Sequence, residues 1–158
     1  MPSDPHDSPS TISKSTRRST SDYIALARTV ATRAYQPYSQ FSVGCVLVDT
    51  DGHEHFGCNV ESASYSVTLC AERVAAGHAV ALGKRQWEAI YIVSPTGVSP
   101  CGTCRQFLYE FCPELQVYLS DLSGDTILGP IRLSDLLPMG MTLQATPLPH
   151  PTSPDPET

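Results

Sequence analysis

Three cysteines and one glutamate carry a spacing that could do chemistry. Cys70-Ala71-Glu72-Arg73 puts a carboxylate two residues past a thiol, and Pro100-Cys101-Gly102-Thr103-Cys104 puts two thiols at the start of an expected helix. Thiolates hold zinc tetrahedrally, and three protein ligands leave the fourth position open. A carboxylate two residues from one ligand can reach a water at that position without binding the metal, an arrangement suited to metal-assisted hydrolysis. Blander readings use the same residues. With Cys58 as a fourth ligand the set would be a structural zinc site, and Glu72 a solvated helix residue. Cys101 and Cys104 alone would make a dithiol redox pair, which leaves Cys70 and Glu72 without a role. Cys45, inside an apolar run, and Cys112, after Phe107, Leu108 and Phe111, read as small buried apolar residues.

The elements that must position these groups follow from periodicity and punctuation. Ser21 or Asp22 is expected to cap a helix with apolar positions 23, 26, 27, 30, 31 and 34, ended by Gln36-Pro37. Phe41 to Val48 reads as a strand, followed by an Asp51-Gly52 turn and a short strand near Glu54 to Phe56. A polar loop from Gly57 leads to a helix over 70–82, stopped by Gly83. Glu88 to Val93, Leu115 to Leu119 and Ile127 to Ile131 read as strands, with a helix over 102–111 and a Ser134-capped turn at the end. Strand, helix, strand over 88–119 implies a parallel pair. In such α/β sheets ligands gather at the carboxyl ends of the strands, where the chain places Cys101 and Cys104. His53 and His55 alternate on a strand expected to be exposed, and His78 sits inside a helix as a packed or solvated residue.

Composition bounds the rest. Of 158 residues fourteen are proline, and nine of these fall before Ser10 or after Leu137. Both ends are also rich in Ser and Thr, too polar to offset the entropy of ordering. Residues 1–20 and 142–158 are therefore expected to be disordered tails around one domain, 21–141. The formal net charge is -6, with no basic stripe of the kind nucleic-acid binding needs. No apolar run approaches the ~20 residues that span a bilayer. The N-terminus lacks an apolar secretory stretch, and Asp4 and Asp7 argue against a transit peptide. A cytoplasmic protein keeps its thiols reduced, so the six cysteines are not expected to form a disulfide framework.

The paired motifs match the zinc nucleobase deaminase signature of (His or Cys)-x-Glu and Pro-Cys-x-x-Cys. More specifically, the chain resembles the small homotetrameric cytidine deaminases that act on free nucleosides. The resemblance rests on Pro37-Tyr38-Ser39-Gln40-Phe41-Ser42-Val43-Gly44, Gly57-Cys58-Asn59-Val60-Glu61, Ala63-Ser64-Tyr65, the two cysteine motifs extended to Arg105-Gln106, and Leu136-Leu137-Pro138. It implies an α/β fold, a three-layer α/β/α sandwich with a mixed five-stranded sheet. It implies Zn²⁺ held by Cys70, Cys101 and Cys104, and Glu72 as the proton shuttle between water, cytosine N3 and the departing amine. Asn59 and Glu61 would hold the ribose 3′-hydroxyl, Phe41 and Ala71 would contact the substrate, and Arg73 would stand as a cation beside the thiolates. Cytidine or deoxycytidine is the implied substrate, in pyrimidine salvage. A deaminase of a modified cytosine nucleoside such as blasticidin S and an inactive zinc-stabilised scaffold are the alternatives; intact Asn59 and Glu61 weigh against the first, intact Glu72 against the second. Where the family carries an aromatic residue that reaches a neighbouring subunit's site, this chain has Met139-Gly140-Met141.

Overall fold

The computed structural model describes residues 17–143. Strand β1 (Gly44–Asp49) pairs antiparallel with both β2 (Glu54–Cys58) and β3 (Trp87–Val93). β3 runs parallel to β4 (Gln116–Ser120), and β5 (Ile127–Arg132) closes the sheet antiparallel to β4. The order is β2-β1-β3-β4-β5, the mixed five-stranded sheet expected.

Period-two alternation divides the central strands between two helical layers. Val46, Val48, Ala89, Tyr91 and Val93 face α1 (Thr20–Ala31), where they pack on Tyr23, Ile24 and Ala27. Cys45, Leu47, Ile90 and Ile92 face the other way, onto α2 (Ala71–Ala81) and α3 (Gly102–Tyr109). A short α4 (Leu133–Leu136) joins that second layer through Leu133. Every residue of β1 is buried, as a strand covered on both faces requires. Cys45 is one of these core residues, and burial pushes its thiol pKa well up.

Four local expectations need correction. Ser19, not Ser21 or Asp22, caps α1; Asp22 is the third helical residue and returns a bond to the Ser19 amide, making a capping box. Thr20 is therefore helical, although composition had placed it in the N-terminal tail; residues 1–16 and 144–158 of the expected tails lie outside the described residues. Arg132, not Ser134, holds the N-cap position of α4. His55 is fully buried instead of lying on an exposed face. Its Nε2 is 3.2 Å from Asp49 Oδ2, a buried carboxylate that also accepts the amides of Asp51 and His53 at 2.9 Å each. Phe56 takes the outward position of β2 instead, and His53, in the preceding turn, remains half exposed. His78 is exposed, its ring edge against His55 at 5.6 Å.

One close approach decides where α2 begins. Gly57, inward-facing on β2, lies directly beneath the first turn of α2: a Cβ there would overlap the Ala71 carbonyl oxygen and come 2.6 Å from the Ala75 amide. Ala71, Ala75, Ala76 and Ala79 complete the small-residue face that lets the helix settle on the sheet. Backbone cannot yield as a flexible side chain would, so Gly57→Ala is expected to cost about 1–3 kcal/mol and to lower the midpoint of thermal unfolding. Differential scanning calorimetry of the two proteins checks it.

Candidate active site

Cys70 is the N-cap residue of α2 and Cys101 that of α3, both with extended backbone. An N-cap side chain ordinarily accepts a bond from its own helix, but neither cysteine does. Both sulfurs instead turn to a common point. Cys104, buried on the first turn of α3, supplies the third. The three Sγ atoms lie within 4.8 Å of one another, with Cys70 and Cys101 3.8 Å apart. Tetrahedral zinc, at about 2.3 Å from each sulfur, spaces its ligands about 3.8 Å apart, so these residues fit the metal as they stand. Cys58 lies outside the cluster, with its thiol 3.5 Å from the Arg33 carbonyl; a four-cysteine site has no fourth sulfur here. Cys112 likewise spends its thiol on the Trp87 carbonyl.

The charges around the cluster are arranged to suit thiolates. Cys104 donates to the Cys70 sulfur, and with Arg73 also beside it Cys70 is drawn down to about 5. The same bond and burial hold the Cys104 proton on, so Cys70 is the first of the pair to ionise. Arg73 lies along α2 with Nη2 2.8 Å from the Thr68 carbonyl and 4.0 Å from Cys70 Sγ, while its buried Nε has no partner among the described residues. Two helix N-termini add positive potential at the same place. Glu72, on the first turn of α2, is almost completely buried. Desolvation raises its pKa to about 7, the Cys70 charge adds to that, and its own backbone amide and Arg73 oppose it.

Cys70, Cys101, Ala71 and Glu72 form one end of a cavity of about 550 Å³ whose other walls include Phe41, Asn59 and Glu61. All the residues expected to meet zinc or substrate are thus in one place, with Arg73 just behind. Asn59 and Glu61 are also structural. The Asn59 side chain accepts from the Val43 amide at 2.8 Å and donates to the Phe41 carbonyl at 2.8 Å, which fixes the Phe41 segment. The Glu61 carboxylate accepts the Tyr38 and Ser39 amides at 3.0 and 3.2 Å and the Ser39 hydroxyl, contacts that lower its pKa. Beyond these bonds Asn59 keeps one N–H and Glu61 keeps carboxylate lone pairs, and both residues line the cavity.

Comparison with known proteins supplies the family. Residues 17–120 match the model of the cytidine and deoxycytidylate deaminase zinc-binding region. The chain is 47% identical over 105 residues to a cytidine deaminase of Sporosarcina psychrophila, covering 65% of this chain and 77% of that one. It belongs to the cytidine deaminase family. A Halalkalibacterium halodurans cytidine deaminase is 46% identical over 114 residues, 70% of this chain and 85% of that protein. Among solved structures, the cytidine deaminase of Burkholderia pseudomallei superposes with a TM-score of 0.73 at 40% identity, covering 78% of this chain and all of that one.

Within this cytidine deaminase relative the structure also exposes residues that motif reading passed over. Ser39 holds Glu61, and Ser99, Thr68 and Val98 line the cavity. Ser39 was within a quoted motif, yet only its contact with Glu61 gives it a role. Thr68, Val98 and Ser99 have no local signal, because loops bring them to the wall. The Cys70 environment is testable by itself. In chelator-treated protein, the pH profile of Cys70 alkylation followed by peptide mass spectrometry should have its midpoint near 5. Removing the nearby cation with Arg73→Gln should move that midpoint upward.

Proposed function

We propose that this chain hydrolyses cytidine and 2′-deoxycytidine to uridine and 2′-deoxyuridine with release of ammonia. Cys70, Cys101 and Cys104 hold one Zn²⁺, and Glu72 moves the protons. The observation that carries the reading is the buried Glu72 beside three convergent sulfurs at the end of a nucleoside-sized cavity. The bound metal supplies Lewis-acid activation of water at neutral pH. A carboxyl group held near 7 can both accept a proton and return it. Glu72 therefore takes a proton from the attacking water and delivers it to cytosine N3. Glu72 then takes the remaining proton from the oxygen added at C4 and hands it to the nitrogen as the C4–amine bond breaks, so water and cytidine balance uridine and ammonia.

The remaining roles follow from position. Phe41 packs against the base, and the buried Ala71 closes the pocket floor next to Glu72. Asn59 and Glu61 grip the ribose 3′-hydroxyl; a carboxylate there repels a 3′-phosphate, which favours a free nucleoside. Arg73 offsets the excess negative charge that three thiolates leave on the metal, and outer partners of this kind tune metal sites.

Assembly as a homotetramer fits the surface around the cavity mouth. Tyr35, Val60 and Leu69 are joined by isolated bridges, and Tyr65 and Val98 stand at the rim. All are exposed apolar groups of a kind that a monomer seldom leaves together. Among the described residues no helix is long and apolar enough to cross a membrane. Free thiols at the site suit a reducing cytoplasm and a place in pyrimidine salvage.

Purified zinc-loaded protein should convert cytidine and deoxycytidine in an ultraviolet assay, with blasticidin S unchanged. Loss of all cytidine conversion with metal bound would sink this reading. Glu72→Gln should lower kcat by about 10²–10⁴-fold while retaining zinc, and Cys101→Ala should abolish the one-per-chain zinc content measured by atomic emission.

A further inference from the structure

Arg105 and Gln106, which follow Cys104 directly, have no part in the chemistry above, yet every polar end of both side chains is spent on loop contacts. Arg105 makes three donations in three directions: Nε to the Pro100 carbonyl at 2.7 Å, Nη1 to the Leu136 carbonyl at 2.7 Å and Nη2 to Ser99 Oγ at 2.8 Å. Pro100 is fully buried and immediately precedes Cys101, while Ser99 lines the cavity. Leu136 is the last residue of α4. The planar guanidinium thus ties the segment that delivers one sulfur, a piece of the cavity wall and the start of the C-terminal segment to one point on α3. Gln106 adds a second anchor. Its amide donates to the Met141 carbonyl at 2.8 Å and accepts the Met141 amide at 3.1 Å, which reads main chain only and is indifferent to the side chain there.

We propose that Arg105 is a positioning residue for the deaminase reaction, clamping the Ser99–Cys101 loop to the segment that follows α4, with Gln106 as the second fastening of that segment. The proposal rests on the deaminase reading above. Lysine keeps the charge, but its three N–H donors radiate from one nitrogen instead of the three spread over the planar guanidinium, so it cannot meet all three acceptors where they lie. The loop carrying Ser99 and Cys101 is then free to move relative to Cys70 and Cys104, while the sheet and the core are untouched.

The test uses the full chain and two readouts. With zinc loaded, Arg105→Lys should lower kcat/KM for cytidine about tenfold or more, the equivalent of roughly one to two hydrogen bonds. Loaded instead with Co²⁺, the same variant should show a shifted sulfur-to-cobalt absorption band, since the angle of one ligand has changed. Ser99→Ala removes a single acceptor and should raise KM with kcat kept. In the Arg105→Lys background it should add little, because the contact it removes is already gone. An unshifted cobalt band with wild-type kinetics in Arg105→Lys would overturn the proposal. So would an Arg105→Lys protein that fails to fold, since a residue required by the whole fold is not a clamp for one loop. If the wild-type chain proves inactive on cytidine, the deaminase reading fails separately, and the cobalt band still decides whether Arg105 sets the loop.

Discussion

Cys70 and Cys101 are separated by 31 positions in the chain and by 3.8 Å in space. That contact exists because two helices begin at the same spot, each with a cysteine in the half-turn before its first residue. Most of the architecture can be understood as what this convergence demands. α2 must reach down onto β2 as far as Gly57 allows, and a face of four alanines lets it. α3 must start at the carboxyl end of β3, which follows from its place as the crossover between two parallel strands. A larger residue under α2, or a longer loop before α3, would pull the sulfurs apart.

Once the helix starts meet, the electrostatics follow. Three sulfurs in one place would repel one another as thiolates, and the two helix termini and Arg73 counter that repulsion. Glu72 faces the opposite pressure. It has been carried from water into a nearly closed site beside a thiolate, and both effects favour its neutral form. The same short stretch of α2 therefore makes a more acidic thiol at Cys70 and a less acidic carboxyl at Glu72, two residues apart. Opposite shifts in adjacent groups are how a site divides metal binding from proton transfer.

How far the sequence revealed this depended on the range of the interaction. The helices and strands of the central layer were legible because their signals are local: an unbroken apolar, β-branched run in Cys45–Val48, the Gly83 stop, and cysteines spaced for a metal. Signals that depend on a distant partner were not. His55 reads as a surface histidine until Asp49 is placed beside it, since nothing within β2 announces a buried carboxylate on its neighbour. Ser19 was passed over because the capping box involves Asp22, which looked like a cap itself. Asn59 and Glu61 were legible as polar residues in a motif. Their bonds to the Phe41, Val43 and Ser39 main chain, which make them supports of the cavity wall, appear only in three dimensions.

The uncapped state of α2 and α3 reaches beyond the ligand count. A helix normally closes its first turn with a side-chain oxygen, and these two leave that end to sulfur atoms that point elsewhere. Whatever binds the sulfurs thereby ties the two helix starts to one another. An ion held there would couple its own release to fraying of those first turns. Ageing of the protein under oxidants or chelators would then begin at these two turns while the sheet behind them stays closed. A protease with access to the open turns would sense the lost ion sooner than any probe of the core.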